Sequence, residues 1–264
     1  MEQTPLPPLL GPTEGPPVEI LGEGGSGIVL ACEHASHTVP EALDGLGLAE
    51  ADRTSHAAWD PGARALGLAL SARLDAPLVA ARFSRLVHDC NRPDGADDAM
   101  PEQVERITVP GNRAITPPAR AARIAALAQP FHAALSDQLD AAGPEAVLVT
   151  IHSFTPVWHG TPRDTQIGFL HDADDRLVKA MAKAPGLSLP VAINSPYGPQ
   201  DGVTHTLIRH ALPRGALNVM VEIRNDLLAD ATGIAAIADE LTRALTHGLA
   251  ACGHAAMACK EGRT

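Results

Sequence analysis

One stretch near the N-terminus constrains the fold more than any other. Residues Ile28–Cys32 are all small or apolar, and an uninterrupted apolar run of this length is typical of a strand buried on both faces of a sheet. Polar groups and then a proline follow it directly: Glu33, His34, Ser36, His37 and Pro40. Sites in open α/β sheets form at the carboxyl ends of strands. The stretch therefore predicts a central strand that ends at a site; the alternative is a polar loop with solvated imidazoles.

Apolar runs and helix-periodic segments alternate along the rest of the chain. Further strands are predicted at Pro77–Ala81 (continuing through Phe83–Asp89), Ala146–Ile151, Gln166–Leu170, Val191–Asn194 and Ala216–Ile223. Helices are predicted from a cap at Asp52 or Thr54 to Leu74, over Ala119–Ala142 with a kink at Pro130, over Asp174–Ala184 and over Thr232–Cys252. This alternation indicates an α/β fold with a mostly parallel sheet.

The length and the distribution of proline indicate how the chain is divided. At 264 residues it suits one large domain, which we place at residues 27–264. Residues 1–26 hold six prolines and five glycines, so we expect a flexible N-terminal extension there. Residues 91–118 hold five prolines and little periodicity, which is typical of a long loop that covers a functional site or is disordered.

Charge and cysteine usage exclude several classes of protein. A formal net charge of −11 argues against nucleic acid and anionic membrane surfaces as partners, because both require a basic face. The chain has no 18-residue apolar run and no basic leader segment, and its four cysteines (Cys32, Cys90, Cys252 and Cys259) lack disulfide-framework spacing. We therefore expect a cytoplasmic protein with free thiols. The oligomeric state stays open.

Histidines and carboxylates follow several of the predicted elements. His34 and His152 each come directly after a strand, and His56 and Asp60 are spaced to share one face of a helix. Imidazoles combined with one or two carboxylates are the usual ligands of catalytic zinc, which keeps one position open for water. The pattern therefore favours a metal site, against solvated surface histidines as the alternative.

A glutamate interrupts the last predicted strand. Glu222 lies within the apolar run Val219–Ile223, where a carboxylate is costly to bury unless it is paired or functional. Beside a zinc-activated water it would act as a general base. The structural alternative is an ion pair with Arg224 or with a neighbouring loop.

Cationic and amide side chains are candidates for holding a substrate carboxylate. Arg85, Asn91 and Arg92 surround the end of the second predicted strand, and Arg224 follows the last one. Arginine beside asparagine suits two-point binding of a carboxylate, and we assign all four residues to substrate binding. For Arg92, an internal ion pair with Asp89 is the competing use.

Five sequence blocks together resemble the N-formylglutamate amidohydrolase family. They are Cys32–His37, His56–Ala63, Ser84–Pro93, Ile151–Pro156 and Val221–Leu227, and the match runs in order from about residue 28 to residue 245. The family is similar in fold to zinc carboxypeptidases and aminoacylase-like desuccinylases. The resemblance thus implies a three-layer α/β fold, with a mixed, mainly parallel central sheet flanked by helices.

The resemblance also implies an activity and the residues that carry it. The implied reaction is metal-dependent hydrolysis of an N-acyl amide, with N-formylglutamate giving formate and glutamate. The implied ligands of one zinc ion per chain are His34, His56 and His152. Glu222 takes the place of the base, and Asn91 with Arg92 takes the place of the pair that binds the substrate carboxylate.

The chain departs from the family pattern at two of the ligand positions. Family members that act in histidine breakdown have a Pro-His-Ala-Gly turn where this chain has Glu33-His34-Ala-Ser, and an Asp-rich segment where it has Asp52-Arg-Thr-Ser-His56. The acyl group and the amino acid of the substrate therefore stay open, and Glu33 or Asp60 is an alternative to His56 as third ligand.

Two rival functions stay open beside the amidohydrolase. One is a non-catalytic protein that binds a small acidic ligand in the same pocket. The other is a zinc peptidase or desuccinylase that uses the same metal site. The pattern is less typical of a conventional α/β serine hydrolase, which would lack its nucleophile because the chain has no G-x-S-x-G elbow.

Overall fold

The computed structural model describes residues 8–254 of the chain. The strands are β1 (Val18–Leu21), β2 (Ile28–Cys32), β3 (Leu78–Ala81), β4 (Gln103–Val104), β5 (Ile107–Thr108), β6 (Val147–Phe154), β7 (Val157–Trp158), β8 (Thr161–Pro162), β9 (Ile167–Leu170), β10 (Val191–Ile193) and β11 (Asn218–Arg224). The helices are α1 (Glu50–Arg53), α2 (Ala63–Leu74), α3 (Pro117–Arg123), α4 (Gln129–Ala142), α5 (Arg176–Met181) and α6 (Ala231–Ala251).

Seven strands form one mixed sheet in the order β1-β3-β2-β6-β11-β9-β10. The four central strands, β3, β2, β6 and β11, run parallel to one another. β1 is antiparallel to β3, while β9 is antiparallel to β11 and parallel to β10. The predicted α/β class and the mixed, mainly parallel sheet are both confirmed.

Helices cover both faces of the sheet and create two hydrophobic layers. Alternate residues of β2 belong to opposite layers: Ile28, Leu30 and Cys32 pack with α2, α5 and α6, and Val29 and Ala31 pack with α4. Each leucine or isoleucine buried in this way contributes about 1.5–3 kcal/mol to folding. Since both faces are covered, the open edge at the carboxyl ends of the central strands is left for a site.

The helix predicted from Asp52 or Thr54 to Leu74 begins later than expected. α1 covers only Glu50–Arg53, and α2 starts at Ala63 behind Gly62, which has a left-handed φ of 83°. Pro61 disfavours helical backbone in the residue before it and cannot donate a hydrogen bond inside a helix. The prediction that His56 and Asp60 share a helix face is therefore wrong, because both lie in the turns between the two helices.

Two other segments in the N-terminal half have a secondary structure that differs from the prediction. The second strand ends at Ala81 and does not continue through Phe83–Asp89, where the Ser84 hydroxyl donates to the Ala58 carbonyl and accepts from the Leu86 N–H. Side chains that bond the backbone in this way compete with strand pairing. Within the predicted N-terminal extension, Val18–Leu21 forms the edge strand β1. Residues 1–7 lie outside the described part of the chain. The predicted domain boundary at residue 27 stays a prediction.

The helix predicted over Ala119–Ala142 changes its hydrogen-bond pattern just before Pro130, where a kink was predicted. Between α3 and α4, residues Ile124–Ala128 form a π-helical segment in which the Gln129 N–H donates to the Ile124 carbonyl. The proline has no N–H for the regular pattern, so the chain changes its hydrogen bonding just before it. No helix within residues 8–254 is both long and apolar enough to cross a bilayer.

The three cysteines within the described part of the chain are free thiols. Cys32 and Cys90 are buried and Cys252 is half-buried, as expected from their spacing. Burial raises the pKa of the Cys32 and Cys90 thiols well above their usual range, so both behave as small apolar groups. Cys259 lies outside the described residues.

Candidate active site

The central strands bring three of the predicted site residues to one edge of the sheet. His34 follows β2, His152 lies in β6 and Glu222 lies in β11. β6 and β11 pair so that Glu222 lies opposite His152, on the neighbouring strand. The loop before α2 joins them, because the Asp60 N–H donates to the His34 carbonyl over 2.9 Å.

Three atoms that could bind a metal ion converge at this edge, and we call the side chains that carry them the ligand cluster: His34, Asp60 and His152. His34 Nδ1 lies 3.2 Å from His152 Nδ1, and Asp60 Oδ2 lies 3.3 Å from the first and 2.9 Å from the second. All three side chains are buried. Three ligands held 2.0–2.1 Å from one tetrahedral zinc ion lie roughly 3.3 Å from one another. The spacing and the chemistry of these donors therefore fit a zinc site.

A carboxylate lies against the second ring nitrogen of each imidazole. His34 Nε2 lies 2.7 Å from Asp89 Oδ1, and His152 Nε2 lies 3.2 Å from Glu33 Oε2. Carboxylates in this position select the tautomer and orient the ring, which leaves the opposite nitrogen, Nδ1, free to bind a metal. The Glu33 contact lacks hydrogen-bond geometry, so Glu33 acts on the His152 ring through its charge, from the side of the ring opposite to Asp60.

The charges around the cluster also favour a cation. Burial by itself raises the pKa of Glu33, but the nearby His152 lowers it to about 2. Burial likewise raises the pKa of Asp60 and Asp89, but His34 and His152 together lower that of Asp60, and His34 and Arg85 together lower that of Asp89. Arg85 is the cation that contacts Asp60 and Asp89, at 3.5 and 2.8 Å. Burial lowers the pKa of both imidazoles, but Asp89 and Asp60 raise that of His34, and Glu33 and Asp60 raise that of His152 well above its usual range. A divalent ion would take the place of these imidazole protons and balance the same carboxylates.

Glu222 has the environment of a proton-transfer group. Its side chain is buried and Oε2 has no hydrogen-bond partner. Burial, reinforced by the charge of Asp60, raises the pKa of Glu222 to about 7 although His152, His34 and Arg85 act in the opposite direction. The alternative ion pair with Arg224 is absent, because Arg224 Nε contacts Asp226 at 2.8 Å.

A glycine on the neighbouring strand leaves room for Glu222. Gly168 in β9 lies opposite Glu222, and a Cβ at that position would be 3.3 Å from the Cβ of Glu222 and would collide with the Ser195 carbonyl. Contacts this short require a neighbour to move. Gly168 is therefore a site residue that the sequence reasoning missed, and its only sequence signal was a glycine inside an apolar strand.

His56 lies apart from the three converging ligands. Its Nε2 is 2.7 Å from Glu105 Oε1, in the turn between β4 and β5, and its side chain is 36% exposed. Among the described residues, the group with metal-binding geometry contains Asp60 in place of His56. The geometry therefore favours the alternative third ligand that the sequence left open.

The four residues assigned to substrate binding already have partners within the protein. Arg85 contacts Asp60 and Asp89, while Arg92 contacts Asp98 at 2.7 Å, not Asp89. The Asn91 amide donates to the Val203 carbonyl and its oxygen accepts from the Thr206 N–H. Arg224 contacts Asp226 and donates to the Arg163 carbonyl. Their assignment to substrate binding stays a prediction.

A cavity of about 310 Å³ lies over the ligand cluster and Glu222. Three segments line it above the cluster: the predicted loop excursion contributes Arg92, Pro101 and Val104, the β7 segment contributes Trp158, and the connection after β10 contributes Tyr197. Its size is at the lower end of the range for small-molecule sites. The excursion at residues 91–118 thus forms part of the site, with β4 and β5 as a small hairpin in the wall.

Comparisons with known proteins agree with this architecture. The family model for N-formylglutamate amidohydrolase matches residues 26–229. The structure of the gene product Atu2144 from Agrobacterium tumefaciens is 49% identical, with a TM-score of 0.90 over 93% of this chain and 99% of that one. N-formylglutamate amidohydrolase from Ralstonia eutropha JMP134 shares the fold, with a TM-score of 0.61 and 19% identity over 90% of this chain and 98% of that one. No curated protein sequence matches the chain.

The family match covers the strands, the ligand cluster and Glu222 together. It extends from just before β2 to just before α6, and therefore includes every residue that lines the cavity. The chain belongs to the N-formylglutamate amidohydrolase family and is a hydrolase.

Proposed function

We propose that this protein is a metal-dependent amidohydrolase that cleaves an N-acyl amino acid, with N-formylglutamate as the first candidate substrate and formate and glutamate as products. The observation that carries the proposal is the convergence of His34 Nδ1, Asp60 Oδ2 and His152 Nδ1 within 3.3 Å of one another. Asp89 and Glu33 contact the other ring nitrogen, Nε2, of His34 and His152 respectively. Membership of the family supports the reaction class.

The cluster would hold one zinc ion per chain through these three residues. When bound, zinc supplies a Lewis acid that polarises the acyl carbonyl and lowers the pKa of water towards neutrality. The chain itself fixes the ligand geometry, because Asp60 also accepts a hydrogen bond from the Ser153 N–H at 3.3 Å. Its second oxygen faces Arg85. Asp60 is thereby held in one orientation before substrate arrives.

Glu222 would move the proton. As a carboxylate, it takes a proton from the water that attacks the acyl carbon; as the acid, it returns that proton to the amide nitrogen as the bond to the acyl group breaks. A pKa raised by burial to about 7 suits both roles, since the group is readily ionised and readily protonated near neutral pH. Oε2, which has no partner in the protein, is available for this exchange.

The test combines metal content with formate release on the same samples. We expect the wild type to hold close to one zinc per chain by elemental analysis and to release formate from N-formylglutamate. His152→Ala and Asp60→Ala should lose both, while His56→Ala should keep its zinc. His37→Ala is the matched control, because His37 is exposed and outside the cavity.

The outcomes separate the candidate functions. Zinc without formate release would reject N-formylglutamate and leave another N-acyl amino acid for a substrate panel, which would also detect a peptidase or desuccinylase. A protein that holds no metal and stays inactive after zinc is added back would contradict the proposal and favour a non-catalytic binding protein.

A further inference from the structure

A second cavity adjoins the one over the ligand cluster. It has a volume of about 700 Å³, and we call it the side cavity. Arg92, Trp158, Tyr197 and Val203 line both cavities, so the two spaces are adjacent and share these side chains as a common wall. A substrate whose amide lies at the ligand cluster and whose other end passes these side chains would reach the side cavity.

One arginine of the side cavity is held between aromatic rings. The Arg163 guanidinium lies 4.8 Å from the ring centre of Trp158, 4.9 Å from that of Tyr197 and 5.4 Å from that of Phe154. Its backbone is fixed too, since its N–H donates to the Pro156 carbonyl over 2.8 Å. Stacking on rings occupies the faces of a guanidinium and leaves its N–H edge for hydrogen bonds.

Arg163 differs from the other arginines near the site in its lack of an acidic partner. Arg85, Arg92 and Arg224 each contact at least one carboxylate, whereas no carboxylate within residues 8–254 lies within 4.0 Å of Arg163. A guanidinium has five N–H donors, and Arg163 uses one towards the Tyr197 hydroxyl at 2.9 Å and one towards the Thr155 carbonyl at 3.4 Å. Most of its hydrogen-bonding capacity is therefore free.

The acids that line the side cavity do not neutralise this charge. Asp201 accepts hydrogen bonds from the Gly198 N–H and the Gln200 amide, and Asp164 is exposed to solvent. The only other arginine of the side cavity, Arg92, already contacts Asp98. A half-buried, rigid and unpaired guanidinium is suited to bind a carboxylate in two-point fashion.

We propose that Arg163 forms an anion subsite in the side cavity, which binds the side-chain carboxylate of an acidic N-acyl amino acid while the acyl amide lies at the ligand cluster. This inference rests on the proposed function and deepens it, since it assigns the preference for an acidic substrate to Arg163. Tyr197 and Trp158, which line both cavities, act as positioning residues that hold the guanidinium in the wall of the side cavity.

The test compares two substrates that differ only in this carboxylate. We expect Arg163→Gln to lower kcat/KM for N-formylglutamate by roughly 10- to 100-fold, mainly through KM, because a charge-assisted bond is lost. The same variant should hydrolyse N-formylglutamine within about twofold of the wild-type rate, since the neutral amide gains little from the charge. Arg113→Gln, which removes an equal charge from an exposed position outside both cavities, should leave both substrates unchanged.

A binding measurement makes the result independent of hydrolysis. By calorimetry, the zinc-loaded wild type should bind L-glutamate more tightly than L-glutamine, and Arg163→Gln should remove the difference. If the wild type shows that difference, Arg163→Gln removes it and neither substrate is hydrolysed, the proposed function fails and the Arg163 subsite stands. If wild type binds both amino acids equally, the subsite is rejected.

Two milder variants test whether the effect of Arg163→Gln comes from a folding defect. Arg163→Lys keeps the charge without the planar fork, and Tyr197→Phe removes the hydroxyl that accepts from Arg163 while keeping the ring. Both should retain part of the preference for the acidic substrate. Equal losses for the glutamate and glutamine substrates in all three variants would show that Arg163 only supports the cavity wall, which would overturn the inference.

Discussion

Replacing two buried histidines should change how the stability of this protein depends on pH. His132 Nδ1 lies 2.9 Å from His210 Nε2, and both side chains are buried. Burial, assisted by the charge of Arg209, lowers the pKa of His132 to about 2 and that of His210 to about 4 from an ordinary value of 6.5. Between pH 6.5 and pH 5 the unfolded chain therefore binds protons at these residues and the folded protein does not.

The sign and the size of the effect follow from proton linkage. Because the unfolded state binds more protons, the free energy of unfolding decreases as pH falls below 6.5. Each such group contributes about 1.4 kcal/mol per pH unit, so the 1.5 units down to pH 5 cost about 2 kcal/mol for each histidine and about 4 kcal/mol for the pair.

The assay compares wild type with His132→Gln/His210→Gln in urea unfolding at pH 7.5 and pH 5.0, after removal of metal. The variant should be less stable than the wild type at both pH values, but the decrease in its free energy of unfolding between pH 7.5 and pH 5.0 should be smaller by about 4 kcal/mol. Active-site groups titrate in both proteins, so their effects cancel in the difference. His37→Gln, at an exposed position, is the control. Identical pH dependence in the wild type and the double variant would refute the reasoning.

Three further predictions concern the site itself. Glu222→Gln should lower kcat by at least roughly 100-fold at unchanged zinc content, and activity within tenfold of wild type would remove it as the proton-transfer group. Asp89→Asn should weaken zinc binding roughly 10- to 100-fold in a chelator competition, because the carboxylate 2.7 Å behind His34 is lost. Gly168→Ala should destabilise the fold by about 1–3 kcal/mol in urea unfolding, since its Cβ would meet the Ser195 carbonyl, whereas Gly95→Ala has open space around it and should not.

The central strands were predictable from sequence because they are buried on both faces. β2 coincides with its predicted bounds, and β6 and β11 lie within three residues of theirs at either end. A strand in this position is apolar over most of its length, so the first polar side chains indicate where its carboxyl end is near: His34 follows β2, and His152 and Glu222 lie within the last three residues of β6 and β11. This is why His34, His152 and Glu222 were placed together at one edge before any contact was known.

The segment between α1 and α2 was harder to interpret because its conformation depends on distant contacts. Asp60 and His56 both follow α1 at positions compatible with a helix, yet the turn at Pro61 and Gly62 sends Asp60 inwards and His56 towards Glu105. The neighbouring residues do not distinguish Asp60 from His56, because both are oriented by contacts with other parts of the chain. The Asp60 N–H donates to the His34 carbonyl, and Glu105, which contacts His56, is 49 residues away from it.

The sequence alone determined the α/β class, the order of the central strands along the chain, and the identity of three residues at the site. These features follow from short-range patterns: the period of apolar residues, and polar groups at strand ends. Only the tertiary structure decided that Asp60 completes the ligand cluster, that Asp89 and Glu33 support the imidazoles, and that Arg163 lacks an acidic partner. Such pairings arise between segments far apart in the chain, and they depend on angstrom-scale distances that the folded core imposes.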